Sequence, residues 1–291
     1  MRTVLRLLGW TMLAAITAWL IWWQPWRWLP PQWNPWEPLA IEHPMTFISK
    51  WKLGRLADEP ERCLDILQRA PDGAISYTAL EDYTPVAGCP LTNVVRISRT
   101  GLTYNSSFTL ACPLAVAWVM FERQQLQPLA EQHLGARVTR VDHFGSFACR
   151  NIYNRDNARK SQHASANALD VGAFRTADGR RISVLDDWDN SRDKTREDFL
   201  REVHSRACGY FGTVLGPDYN QPHENHFHLE GGSFGICRAR RDEASSPNAS
   251  RSILGTRNLT CTRYVDALKA LRAACAPSSA EAETVSSNGG R

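Results

Sequence analysis

The sequence predicts an α+β fold: a small antiparallel sheet with flanking helices, braced by disulfides and preceded by a single N-terminal transmembrane helix. Three observations carry that reading. An uncharged apolar run of about twenty residues lies between Arg6 and Arg27, long enough to cross a bilayer core as a helix. Eight cysteines (Cys63, Cys89, Cys112, Cys149, Cys208, Cys237, Cys261 and Cys275) are scattered without any C-x-x-C pair, which suits the disulfides of an exported protein and not a zinc ribbon. Between them, short segments of alternating polarity are interleaved with stretches of helical period.

Taken from the N-terminus, residues 1–23 read as a transmembrane signal anchor. Arg2 and Arg6 precede LLGWTMLAAITAWLIWWQPW, so the N-terminus is expected in the cytoplasm, with the anchor in the inner membrane and the domain facing the periplasm. Eight of the eleven tryptophans precede residue 37, and WWQPWRW marks the outer interface. A cleaved signal peptide is the alternative, but the run lacks an A-x-A site, and cutting near Ala18 would leave WLIWW on the mature end. Residues 24–44 are Pro- and Trp-rich, cannot sustain a helix, and read as a stiff linker lifting the domain off the bilayer. The domain is expected over 45–275. Residues 276–291 carry nothing that forms a core and are expected to be disordered.

Within the domain, Cys63 to Ala70 reads as a short helical turn, and ISYTALEDY and VVRISRTGLTYNSS alternate as strands. A helix is expected from near Pro113, keeping its period past Pro128, with Leu114, Trp118, Phe121 and Leu126 facing the core. ARVTRVDHFGSFACRNI reads as strand and turn, with Val138, Val141, Phe144 and Phe147 alternating imperfectly. SQHASANALDVGAFRTADGRRISVL reads as a loop entering a strand, a turn at Asp178 and Gly179, and a second strand. Thr195 with Asp198 forms a capping-box pattern before a helix whose stripe is Phe199, Val203, Ala207 and Phe211. After LGPDYNQP, the stretch HENHFHLE alternates like a strand. Eight cysteines allow 105 pairings, so the bridges cannot be assigned at this stage.

A formal charge of +4, with no basic run interleaved with aromatics, excludes the footprint of a nucleic-acid binder. The chemistry gathers in HENHFHLE, where His223, His226 and His228 fall within six residues. On a strand His226 and His228 would share a face, with His223 arriving from the loop. A carboxylate could come from SQHASANALD, where His163 and Asp170 stand seven apart. Two imidazoles and one carboxylate suit a zinc ion with a position left open for water. A non-haem iron triad uses the same donors, but its close His-x-Asp pair is missing. DDWDNSRDKTRED resembles a calcium loop only in its spaced acids; Arg192 stands where glycine is needed, so it reads as a polar loop. His143 and His204 read as packing.

SQHASANALD resembles the S-x-H-x-x-G-x-A-x-D motif of the zinc D-alanyl-D-alanine peptidases, and HENHFH resembles the H-x-x-H-x-H form of the penicillin-insensitive murein endopeptidases. Together with ACRNIYN and FLREVHSRACGYFGTVLGPDYN, these motifs resemble the bacterial extensin-like C-terminal domain family over roughly Cys63 to Cys275. The resemblance implies a Zn2+ held by His163, Asp170 and His228, with His223 as general base and His226 as an orienting or charge-stabilising neighbour. Ser161 would support the ligand loop, and Arg150 would face the substrate. The implied activity is hydrolysis of an amide bond in peptidoglycan stem peptides or cross-links; the alternative is a zinc-containing cell-wall binding module without turnover. One position departs from the motif: its glycine is Ala166, which is costly if the backbone there has positive φ.

Overall fold

The charge-free run forms α1 (Arg2–Trp23), with no residue buried, and it is long and apolar enough to cross a membrane. The computed structural model describes residues 2–190, 192–233 and 235–237. Cys261, Cys275 and the expected tail over 276–291 lie outside the described residues, as does the expected end of the domain at 275.

After a 3-10 turn (Pro25–Trp28) come α2 (Phe47–Arg55), α3 (Pro60–Gln68), β1 (Ile75–Ala79), β2 (Tyr83–Val86), β3 (Cys89–Leu91), β4 (Val94–Thr100), β5 (Thr103–Tyr104) and β6 (Phe108–Ala111). The long helix expected from Pro113 is α4 (Cys112–Phe121) and α5 (Gln127–Leu134), joined by a π turn (Glu122–Leu126). That wider turn comes just before Pro128, whose missing N–H a regular helix interior would not tolerate. The chain continues through β7 (Val138–Gly145), β8 (Ala168–Thr176), β9 (Arg181–Ser183), α6 (Val184–Asp187), α7 (Lys194–Ala207), β10 (Thr213–Leu215) and β11 (Phe227–Glu230). α7 is capped by Asp193, whose side chain accepts from Arg196 N–H, and not by Thr195; Asp and Thr both cap, and the sequence pattern was two residues late.

Six strands make the central sheet, in the order β10-β11-β8-β7-β5 with β9 paired to β8, antiparallel except for β5 on β7. A second sheet has the order β1-β4-β6, and β2-β3 is a separate hairpin. Side chains of β8 and β11 alternate: Leu169, Val171, Phe227 and Leu229 enter the core with Trp118, Phe121, Phe199 and Phe211. Asp170, His228 and Glu230 are therefore turned to the opposite face.

Three bridges form among the described residues: Cys63–Cys112, Cys89–Cys149 and Cys208–Cys237. The Pro/Trp-rich stretch is a free spacer only at its start. Leu39 and Ile41 are buried in the core, and Gln124 Nε2 donates to the carbonyls of Ile41 and His43. Proline prevents a helix there but does not stop an extended strap from packing, and apolar Leu39 and Ile41 gain by it.

Candidate metal centre

A turn and the strand that follows it meet a third segment almost sixty residues further on, on the outer face of the sheet. β8 and β11 pair with Asp170 directly opposite His228. His163 comes from a 3-10 turn (Gln162–Ser165) in which the Ser161 hydroxyl accepts from His163 N–H at 3.3 Å. That turn is itself laced to the loop after β7: Ala148 N–H donates to His163 O, and Ser161 N–H donates to Arg150 O. The turn ends at Ala166 with φ 53°, so the motif position does adopt the left-handed conformation that favours glycine. Such a residue is strained by about 1–2 kcal/mol. Complete burial of its methyl beside Leu91 and Val94 offsets about 0.8 kcal/mol of that.

The donor atoms converge. His163 Nε2 lies 3.2 Å from His228 Nδ1 and 3.2 Å from Asp170 Oδ2, and His228 Nδ1 lies 2.8 Å from Asp170 Oδ1. Ligands at about 2.0–2.1 Å around one tetrahedral ion are themselves about 3.3 Å apart, so this trio has the spacing of a metal ligand set. The outer nitrogens explain why it is one. His163 Nδ1–H donates to the Ser146 carbonyl at 3.1 Å, and His228 Nε2–H donates to Glu230 Oε1 at 2.9 Å. Both acceptors lack a proton to give, so each ring carries its outer hydrogen, and its inner nitrogen, once it has lost its own proton, is the one free to bind an ion beside Asp170. Two imidazole nitrogens and a carboxylate facing one another need positive charge between them, which protons on the rings or a metal ion can supply. His163 and His228 are buried and Asp170 is half-buried, and the three form a group that could hold a metal ion.

The charges respond to this crowding. Burial disfavours an ionised His228, but its hydrogen bonds to Asp170 and Glu230 outweigh that and push its pKa up to about 9. Burial likewise opposes an ionised Asp170, and the hydrogen bonds from His163 and His228 hold it well below the usual carboxylate range.

His223 and His226 stand beside the trio but not on a strand, because β11 begins only at Phe227. His223 sits in a 3-10 turn (Gln221–His223), and Asn220 tucks the ring inward by accepting from Nδ1–H. Asn220 is held in turn by the hydroxyl of Tyr153 at 2.8 Å. Burial, then the neighbouring rings of His228 and His226, push His223 down to about 4. His226 bonds Asn225 Oδ1 at 2.7 Å through Nδ1 and brings Nε2 to 3.5 Å from Asp170 Oδ1; burial lowers it too. His223, His226 and His228 form a second ligand-type group that shares only His228 with the first. Arg150 is exposed, and its charge is felt at both His223 and His226.

Phe144 is 59% exposed. β7 and β8 slip register around His143, leaving Phe144 and Gly172 outside the paired residues. The freed ring lies over Gly172 and meets His226 edge-on at 5.8 Å. Sequence reasoning assigned no role to Glu230, Ser146, Asn220 or Asn225. For Glu230 a signal existed, since it follows His228 by two residues on the same strand face.

No curated protein and no solved structure matches the chain. The family model described as extensin-like protein C-terminus matches residues 61–238, more than half of the sequence, and its span contains every residue of the candidate metal site and all three described bridges. The chain belongs to the extensin-like protein C-terminus family.

Proposed function

We propose that the protein is a zinc-dependent peptidase that hydrolyses an amide bond in peptidoglycan stem peptides or their cross-links. The observation that carries the reading is the trio His163 Nε2, Asp170 and His228 Nδ1, whose outer hydrogen bonds leave three lone-pair donors aimed at one point. Two imidazoles and a carboxylate fit zinc and leave a coordination position open. Bound there, the ion would polarise a substrate carbonyl and make water acidic enough to attack near neutral pH.

This chain's side chains supply the rest. His223 keeps its Nδ1–H on Asn220, so Nε2 is free to take a proton from the attacking water and pass it to the leaving amine. Arg150 offsets negative charge developing on the carbonyl oxygen, and His226 does so in its protonated form. Peptidoglycan as substrate rests on the two motifs that resemble D-alanyl-D-alanine peptidases and murein endopeptidases, and on an N-terminal helix that could anchor the domain at a membrane with its face toward the periplasm. The test is digestion of muropeptides by the detergent-solubilised full chain loaded with zinc. Cleavage that His223→Ala abolishes while zinc content stays at one ion per chain supports the proposal; a zinc-loaded wild type that leaves every muropeptide intact refutes it.

One observation favours a second reading, a zinc-containing wall-binding module. His226 Nε2 is close enough to Asp170 to serve as a fourth ligand and close the site. In that case His223→Ala leaves sacculus binding unchanged, and His226→Ala lowers zinc affinity about as much as His163→Ala does.

A further inference from the structure

Exposed aromatic rings gather where the chain leaves α1. The helix ends at Trp23, and at Pro31 the strap is already tied to the domain, its carbonyl accepting from Lys52 Nζ at 3.1 Å. Gln32 is tied likewise, its carbonyl accepting from the Thr46 hydroxyl. Only residues 24–30 bridge the gap. Fully extended they would span at most about 25 Å, and the 3-10 turn over Pro25–Trp28 makes them shorter still. The domain therefore begins within one short step of the end of a membrane-length helix.

At that point it presents the wrong surface for water. Phe47, Trp51 and Arg55 fall four residues apart along one face of α2, while Ser49, Lys52 and Leu53 take the buried face. Phe47 is 67% exposed and Trp51 40% exposed. The strap extends the same surface: Trp33 meets Phe47 edge-on at 5.5 Å, Trp36 lies 4.8 Å from Trp26, and Trp36 and Trp51 line one cleft of about 120 Å³. The Arg55 guanidinium sits 5.1 Å over the Trp51 ring, a cation beside an aromatic. Soluble surfaces rarely keep so much contiguous apolar area without a partner, whereas tryptophan rings and neighbouring arginines are at home in the headgroup layer of a bilayer.

We propose that this surface docks on the headgroup layer of the leaflet from which α1 emerges, so that the strap and α2 hold the domain down on the membrane. The partner is the lipid surface itself, and the tether keeps a domain attached at Pro31 within about 25 Å of it. The proposal is independent of the chemistry at the metal centre.

The experiment uses the full chain reconstituted into phosphatidylethanolamine and phosphatidylglycerol vesicles, with or without lipid carrying a nitroxide at carbon 5. Trp51→Phe keeps a ring at a solvent-facing position, and an unchanged near-ultraviolet circular dichroism spectrum verifies its fold. The fluorescence difference between wild type and Trp51→Phe is the signal of Trp51 alone. The nitroxide lipid is expected to remove at least half of that signal, and aqueous acrylamide is expected to quench it at least twofold less than free N-acetyltryptophanamide. A Trp51 signal untouched by the nitroxide overturns the proposal. If acrylamide then quenches it freely, the face is in water; if not, a second copy, identified by cross-linking, or another part of the chain covers it.

Discussion

Glu230 was assigned no role from sequence, yet its replacement gives the sharpest test of how the proposed metal centre is built. Its carboxylate accepts from His228 Nε2–H at 2.9 Å, and His228 is only 7% exposed. Glu230→Leu leaves that buried N–H without an acceptor, a loss of about 2–3 kcal/mol for a hydrogen bond to a charged group. Tenfold per 1.4 kcal/mol converts this to roughly 30- to 140-fold weaker binding of the proposed zinc ion. Glu230→Gln keeps a neutral acceptor and should lose only about 1 kcal/mol, roughly fivefold. A second effect runs the other way. The same carboxylate helps to hold His228 protonated, with its pKa near 9, and that proton must leave before the ring can bind an ion. Removing Glu230 lowers the pKa and relaxes the competition, so part of the affinity loss is masked at pH 7 and fully visible above pH 9. The assay is zinc titration against a competing chelator at pH 7 and pH 9.5, with thermal unfolding of the metal-free variants as a check on the fold. If Glu230→Leu binds zinc within threefold of wild type at pH 9.5, the outer hydrogen bond does not orient the ligand and the reasoning fails.

The remaining predictions concern the scaffold. Glu122 is 2% exposed, and burial pushes its carboxyl up to about 7. Its folded pKa exceeds its unfolded value, so its contribution to stability is complete below about pH 4.5 and is lost as pH rises through 7, by about 3 kcal/mol in all. Glu122→Gln should remove this dependence; equal pH profiles of urea unfolding between pH 4 and 8 for both proteins would contradict it. Replacing Cys63 and Cys112 together by serine opens a loop of 49 residues, which in the chain-entropy picture destabilises by about 4 kcal/mol, measurable as a lower denaturation midpoint. A loss below 1 kcal/mol would mean the bridge adds little to packing already in place. Ala166→Gly relieves the left-handed strain of about 1–2 kcal/mol while losing a buried methyl and loosening the unfolded chain, so its stability should stay within about 1 kcal/mol of wild type. Ala166→Val, with a branched side chain at the same φ, should fall well below that by the same measurement.

Legibility followed the kind of interaction. Local patterns were readable: α3, α7 and the hairpin of β8 and β9 follow from period and turn residues. Asp170 and His228 were readable as candidates, but their facing each other was not, because the pairing of β8 with β11 closes over almost sixty residues and depends on which strands become neighbours. Ser146 was invisible for another reason: it acts through a backbone carbonyl, which any residue would supply. Phe144 falls one residue after buried His143 and three after buried Val141, so alternation along β7 itself turns it outward, whereas its contacts with Gly172 and His226 depend on which strand lies beside it and were not readable. The strap over 30–44 was read as a spacer because proline forbids a helix, a rule that says nothing about whether extended chain can pack.

Three imidazoles within six residues do different things because each has a different partner on its outer nitrogen. His228 donates to a carboxylate, which makes its inner nitrogen more basic and draws positive charge to the face of Asp170. His223 and His226 bond side-chain amides, which fix the ring without adding charge, so burial dominates and both are held neutral. The directions are opposite, about 9 against about 4, for rings 5.5 Å apart. The proposed function, holding a cation and accepting a proton in one site, needs that asymmetry, since identical rings would either all compete for the ion or all be charged. Glu230 and Asn220 create it, and neither would bind the metal. In this centre the division of labour is set one hydrogen bond behind the residues that carry it out.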